Sequence, residues 1–293
     1  MIGGQRAQNA DLDMLKKAQD MKAQGVDADT IYADTKWWLD HPDGKPRFEI
    51  DDSGAKWKSN PNAEFLPDNL DHPKLDAQYD TERIVLLDDL SLKAKGQYDK
   101  SIDAITLGQT YSPDDALSTT LHESQHAIQG REGMARGGNP VMFARDSADA
   151  MEQIKGYNLR LSANVKARDE ISRDFSMPID QKKGRLSNLK RVYDGLLDER
   201  SKLVETAQLD PYQGYRSLGG EAEARLTQQR MDMGMDERLS NPFYKNYDVP
   251  LDEQIIRTGG KNNLSASLPM DEASRMQRAR DMGFDTDEVL YHG

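Results

Sequence analysis

The sequence predicts an α+β fold: a small antiparallel or mixed sheet packed on one buried helix, joined to a long antiparallel helical pair and a small N-terminal helical segment. Three observations predict it. Three short β candidates, residues 84–87, 94–98 and 104–107, run straight into a helix whose start is written in Ser112-Pro113-Asp114-Asp115. Beyond Gly137-Gly138-Asn139-Pro140, two apolar stripes at helical spacing flank the turn Met177-Pro178-Ile179-Asp180. A mean hydropathy of -0.84 with 31% charged residues points to an open, heavily solvated architecture rather than one deep-cored globule.

Along the chain, Leu12, Met14, Leu15, Ala18 and Met21 predict a helix over residues 11–24 that ends at Gly25. A shorter helix follows at about 29–37. Trp37-Trp38, the Pro42-Asp43-Gly44 turn and Arg47-Phe48-Glu49-Ile50 then read as a small aromatic packing cluster with a short strand. Residues 1–80 form an N-terminal helical adaptor on this reading; His41 and His72 both sit in its turns, and His72, before a proline, is expected to be satisfied locally. Gln97-Tyr98-Asp99 is the candidate edge strand, able to take an extended peptide by strand addition. The helix after Ser112 is expected to stop at Gly130.

In the helical pair, Met151, Ile154, Tyr157, Leu161, Val165 and Ile171 make one stripe. Leu186, Leu189, Val192, Leu196 and Leu203 make the other. The interleaved charges read as solvated faces, with a partner-binding coiled coil as the sharper alternative. Residues 81–250 are therefore expected to form the principal domain with a hairpin insertion at 146–207, and 251–293 a linker tail.

Composition removes several classes. A formal charge of -12 over 293 residues argues against general nucleic-acid or anionic-membrane binding, because such surfaces need a net basic face. With no cysteine there is no disulfide framework and no thiolate ligand. No apolar run is long enough to span a bilayer, and Met1-Ile2-Gly3-Gly4-Gln5-Arg6 is not followed by a signal-peptide apolar region.

The chemistry is concentrated in His122-Glu123-Ser124-Gln125-His126. On a helix, positions four apart share a face, so both imidazoles can reach one Zn2+ while Glu123 projects toward a metal-bound water. The plain alternative is a helix with two surface histidines. A two-histidine zinc site needs a third protein ligand and an open position. His41, His72 and His292 are poorly placed, which leaves a carboxylate. The best segment is Leu218-Gly219-Gly220-Glu221-Ala222-Glu223-Ala224-Arg225, where small residues allow close helix approach; Glu221 and Glu223 point to different faces, so only one can be the ligand.

His122-Glu123-x-x-His126 with a distant Glu221-x-x-Ala224-Arg225 resembles the gluzincin class of zincin-like metallopeptidases, whose second metal helix carries E-x-x-A followed by a polar residue, commonly Asp or Asn. The resemblance implies Glu221 as the third ligand. It also puts Arg225 where many gluzincins hold an acid behind a ligand histidine, and an arginine cannot accept a ring N–H. Glu223 is left as the supplier of that contact or as the ligand itself. More of the chain is similar to the zincin-like domains of large polyvalent proteins of phages and mobile elements: Trp37-Trp38 with Asp43-Gly44-Lys45-Pro46-Arg47-Phe48-Glu49-Ile50, Leu70-Asp71-His72-Pro73, the His122 segment, and Gly220-Glu221-Ala222-Glu223-Ala224-Arg225. The tail from Leu268 to Asp285 resembles the linker such proteins place before another domain, and Tyr291-His292-Gly293 resembles the opening of an ADP-ribosyltransferase-type fold. That resemblance implies a phage- or prophage-encoded protein acting in the bacterial cytoplasm or delivered with the virion, and other domains of a larger polyprotein as partners.

The expected activity is zinc-dependent hydrolysis of a protein or peptide substrate. His122, His126 and Glu221 hold the metal, Glu123 serves as general base, and Tyr212, Tyr215 and Arg216, just before the second metal helix, are the candidates by position for stabilising the oxyanion. The competing expectation is a catalytically inactive zincin-like scaffold or interaction module, motivated by the mixed-charge helical pair.

Overall fold

The computed structural model describes residues 1–109 and 112–258; the tail segments 268–285 and 291–293 discussed above lie outside them. The chain divides into two compact units, Met1–Gly137 with Ser217 onward, and Gly138–Arg216.

In the first unit, β1 (Ile2–Gly3) opens the chain and α1 (Leu12–Ala23) follows, with the Asp11 carboxylate accepting the Met14 N–H at its start. Asp27 caps α2 (Ala28–Thr35) in the same way through Thr30. β2 (Phe48–Glu49) pairs antiparallel with β1, and β3 (Lys56–Trp57) with β4 (Leu70–Asp71), which follows the single turn α3 (Leu66–Asn69). His72 caps α4 (Pro73–Asp76): its Nδ1 accepts from the Leu75 N–H and its Nε2 meets Asp52 at 2.8 Å. His41 is likewise buried, with Nδ1 2.8 Å from the Asp43 carboxylate. His72 is thus satisfied through both ring nitrogens, as the sequence implied, whereas the buried Nε2 of His41 has no hydrogen-bond partner among the described residues.

The three β candidates form one sheet in the order β5 (Val85–Asp88), β7 (Ala104–Leu107), β6 (Gly96–Asp99). β5 runs parallel to β7, whereas β6 is antiparallel to it with Tyr98 opposite Ile105. Backbone bonds from Leu66 and Leu86 join the Glu64–Leu66 stretch to β5, so among the described residues β6 is the terminal strand. Ile84, Leu86, Ile105 and Leu107 pack in one core with Leu121 and Ile128 of α5 (Pro113–Glu132). Each contributes the roughly 1.5–3 kcal/mol typical of a fully buried aliphatic side chain.

α5 starts as expected, with Ser112 Oγ accepting from Asp115 and Pro113 in the first turn. It does not stop at Gly130. The left-handed residue that closes a helix is Gly133, at φ 70°, and the extra turn places Glu132 to accept the Tyr79 hydroxyl at 2.8 Å and the Arg6 N–H. α9 (Gly219–Arg230) and α10 (Met235–Ser240) complete the unit.

Residues 1–80 are not a separate adaptor. Ile2 exchanges two hydrogen bonds with Gln125 on α5, at 2.8 and 2.9 Å, and Trp38 stacks on Tyr244 with ring centroids 5.2 Å apart. The Met1 ammonium is buried against Asp52 and the Ile50 carbonyl. Aromatic packing does account for the tryptophan pair, since Trp37 also meets Phe48 at 5.0 Å.

The second unit is the expected hairpin, longer at both ends: α6 (Pro140–Arg173) and α7 (Ile179–Gln208), followed by α8 (Pro211–Arg216). Leu161 and Leu196 are buried, and Asn164 donates to the Leu189 carbonyl across the pair at 3.0 Å. Met151, Val165 and Val192, assigned to the stripes, are instead exposed, because a two-helix seam covers a narrower face than either stripe spans. No helix among the described residues is long and apolar enough to cross a membrane.

Candidate metal centre

α5 and α9 pack against each other, and their contact places His122, His126 and Glu221 together. The helix spacing i, i+4 brings both rings to one face, with centroids 4.9 Å apart. His122 Nε2 lies 3.4 Å from one Glu221 oxygen and His126 Nε2 3.3 Å from the other. One donor atom from each residue lies within 4.8 Å of the others.

Close approach depends on glycine. A Cβ at Gly220 would overlap the Arg136–Gly137 peptide, and a Cβ at Gly137 would overlap both Glu221 and His126. The Gly219-Gly220 pair that precedes Glu221 therefore serves packing at the ligand, beside Ala222 and Ala224, which are fully buried.

The donor set fits zinc. Tetrahedral Zn2+ with bonds of about 2.0–2.1 Å separates neighbouring ligand atoms by about 3.3 Å. Two nitrogen–oxygen separations in the triad have that length, each ending on a different oxygen of Glu221. Two imidazoles and one carboxylate, with no cysteine, make up the three-ligand set of hydrolytic zinc sites.

Glu221, not Glu223, is the residue that faces the rings. Glu223 points away and binds Arg47 Nε at 2.5 Å, Gln129 Nε2 at 3.1 Å, Gln125 Nε2 at 3.2 Å and the Tyr247 hydroxyl at 3.2 Å. Arg47 in turn forks onto Asp43, with both contacts 2.8 Å. Arg225 pairs with Asp248 at 2.7 and 2.9 Å. Behind the two rings sit two residues not singled out from the sequence: Gln228 Oε1 lies 2.9 Å from His122 Nδ1, and Gln129 Oε1 lies 2.9 Å from His126 Nδ1. Helical spacing puts Gln228 on the Glu221 face and Gln129 beside His126, but nothing in the sequence says what either amide meets. Tyr212, Tyr215 and Arg216 lie on α8 in the second unit, with the two tyrosine rings 6.2 Å apart.

Glu123 is 6% exposed and sits under the edge strand, where a Cβ at Gly96 would come 2.9 Å from its Oε1. Burial pushes its carboxyl above the ordinary range, while His126, His122 and the Tyr98 N–H act in the opposite direction. Burial pulls the His126 ring down, but the Glu221 carboxylate outweighs it and raises the ring to about 9. Burial also raises Glu221, yet the paired rings hold it well below the usual carboxylate range. The metal-free centre is thus an ion pair. The stability it contributes is present below the ordinary imidazole value of 6.5 and is lost as pH rises through about 9. A cation must displace the His126 proton, so zinc binding at pH 7 is expected to release about one proton and to strengthen as pH rises toward 9. Titration calorimetry in two buffers of different ionisation enthalpy reads that proton directly; equal heats in both would refute it.

Residues 1–58 match the family model of large polyvalent protein associated domain 23. The match associates this segment with polyvalent proteins, and the segment carries Asp43 and Arg47, which brace Glu223. No curated protein and no solved structure matches the chain.

Proposed function

We propose that the first unit is a zinc-dependent, zincin-like metallopeptidase belonging to a large polyvalent protein of a phage or mobile element and acting in the bacterial cytoplasm. One observation carries the reading: two imidazoles and a distant carboxylate converge beside a second, buried carboxylate that is not needed as a ligand. Held by His122, His126 and Glu221, Zn2+ would polarise a scissile carbonyl and acidify a water in the remaining position. Glu123 takes the proton of that water and returns it to the leaving amine, a task suited to a carboxyl raised by burial.

The edge strand supports peptide as the substrate class. β6 is bonded to β7 on one side, and it borders Glu123 through Gly96 and Tyr98. An extended chain added along β6 would bring its peptide groups past the centre, with main-chain hydrogen bonds giving affinity and alternate side chains giving selectivity. Other domains of the same polyprotein and unfolded segments of host proteins both offer such a chain.

The test is cleavage of an unstructured protein by the full chain loaded with one equivalent of zinc. Cleavage that stops on chelation and returns on adding zinc is expected. A chain that takes up no zinc overturns the reading and favours the scaffold alternative.

A further inference from the structure

Each ligand ring meets a glutamine amide on the side away from Glu221, and each amide has only one way round. Gln228 Nε2 donates to the Ser118 hydroxyl at 2.9 Å and to the Ser118 carbonyl at 3.2 Å. Because an amide nitrogen only donates, the oxygen is left to face His122 Nδ1. Gln129 Nε2 donates to the Gly220 carbonyl at 2.8 Å and to Glu223 at 3.1 Å, which leaves its oxygen against His126 Nδ1. An acceptor at Nδ1 holds a proton there, so when a cation displaces the proton on the Glu221 side the lone pair that meets it is on Nε2. Both Nε2 atoms face Glu221.

Carboxylates would orient the rings equally well but would add charge. Glu123 and Glu221 already place two acids in a buried setting, and a third or fourth anion would raise the desolvation cost. Neutral amides orient without that cost. One face of α9 then supplies both a ligand, Glu221, and the orienting group for a ligand on the other helix, Gln228.

We propose that Gln228 and Gln129 are the positioning residues of the metal centre, uncharged acceptors that fix the Nδ1–H tautomers of His122 and His126 and so present Nε2 to the cation. The proposal rests on the metallopeptidase reading for the identity of that cation. Gln228 gives the cleaner test, because Gln129 also binds Glu223 and the Gly220 carbonyl.

In the full chain, Gln228→Met keeps the side-chain length and removes the acceptor. Zinc affinity, measured by competition with a chromogenic chelator, is expected to fall about 10–100-fold. Gln228→Glu restores an acceptor and is expected to recover the parent affinity or exceed it. Nitrogen chemical shifts of the metal-free histidine rings provide the second readout: His122 keeps a proton on Nδ1 in the parent and in Gln228→Glu, whereas in Gln228→Met, with Glu221 the remaining acceptor, Nδ1 loses its proton and Nε2 carries it. Unchanged affinity and tautomer in Gln228→Met would overturn the proposal. A parent without zinc affinity would sink the metallopeptidase reading instead, and the ring tautomers would still decide this one.

Discussion

Glu123→Gln is expected to retain zinc and to lose about 10²–10⁴-fold in peptide cleavage, the usual contribution of a positioned general acid–base. The substitution keeps the shape and the hydrogen bonding of a buried side chain while removing its ability to take a proton. Glu123 is outside the ligand triad, so affinity for the cation has no reason to fall. Zinc content and cleavage rate measured on the same preparation separate the two effects. A Gln variant that cleaves as fast as the parent removes Glu123 from the mechanism, and one that loses its zinc makes the carboxylate a ligand.

Arg47→Met is expected to destabilise the first unit by about 3–5 kcal/mol, the range for removing one partner of a buried ionic cluster. Arg47 is fully buried between Asp43 and Glu223, and its loss leaves both carboxylates without their cation. Arg47→Lys should recover little, because one ammonium cannot replace a fork that bonds Asp43 through two nitrogens and Glu223 through a third. The readout is selective: all three tryptophans, Trp37, Trp38 and Trp57, belong to the first unit, so urea unfolding followed by their fluorescence reports that unit alone. A change below about 1 kcal/mol, the scale of exposed ion pairs, would show that the cluster is not structural.

The parts of the centre legible in the sequence were those written within one helix. The pair His122 and His126, with Glu123 between them as the proposed base, follows from a four-residue spacing, and α5 was recognisable from Ser112-Pro113 and its apolar neighbours. Glu221 could be narrowed to two acids because two glycines and small side chains marked a close helix contact, but choosing between Glu221 and Glu223 needed the helix rotation. Gln228 and Arg47 were hidden for a different reason. Each acts across more than 100 residues of sequence, and a lone glutamine on a helix or an arginine after a turn carries no local pattern that tells what it will meet. The N-terminal stretch reads as an adaptor in the sequence on the same ground: its helices and aromatics are locally well formed, and nothing local says that Ile2 will bond to Gln125. In the sheet, three strands were placed within two residues of their observed bounds, whereas the parallel pairing of β5 with β7 depends on a crossover through β6 that turn signals do not reveal.

The interruption of the first unit by the hairpin has a consequence for synthesis on the ribosome. Gln129 and its partner Glu223 are 94 residues apart in the chain, and at about 5–20 residues per second of elongation the metal helix waits several seconds for the segment that completes its site. During that interval the apolar face of α5 can be covered by the sheet made before it, but Arg47 and the two histidines have no carboxylate from α9. Nascent chains halted before residue 217 should therefore carry a collapsed unit that lacks Glu221, and on the metallopeptidase reading zinc uptake would follow release of α9 from the exit tunnel.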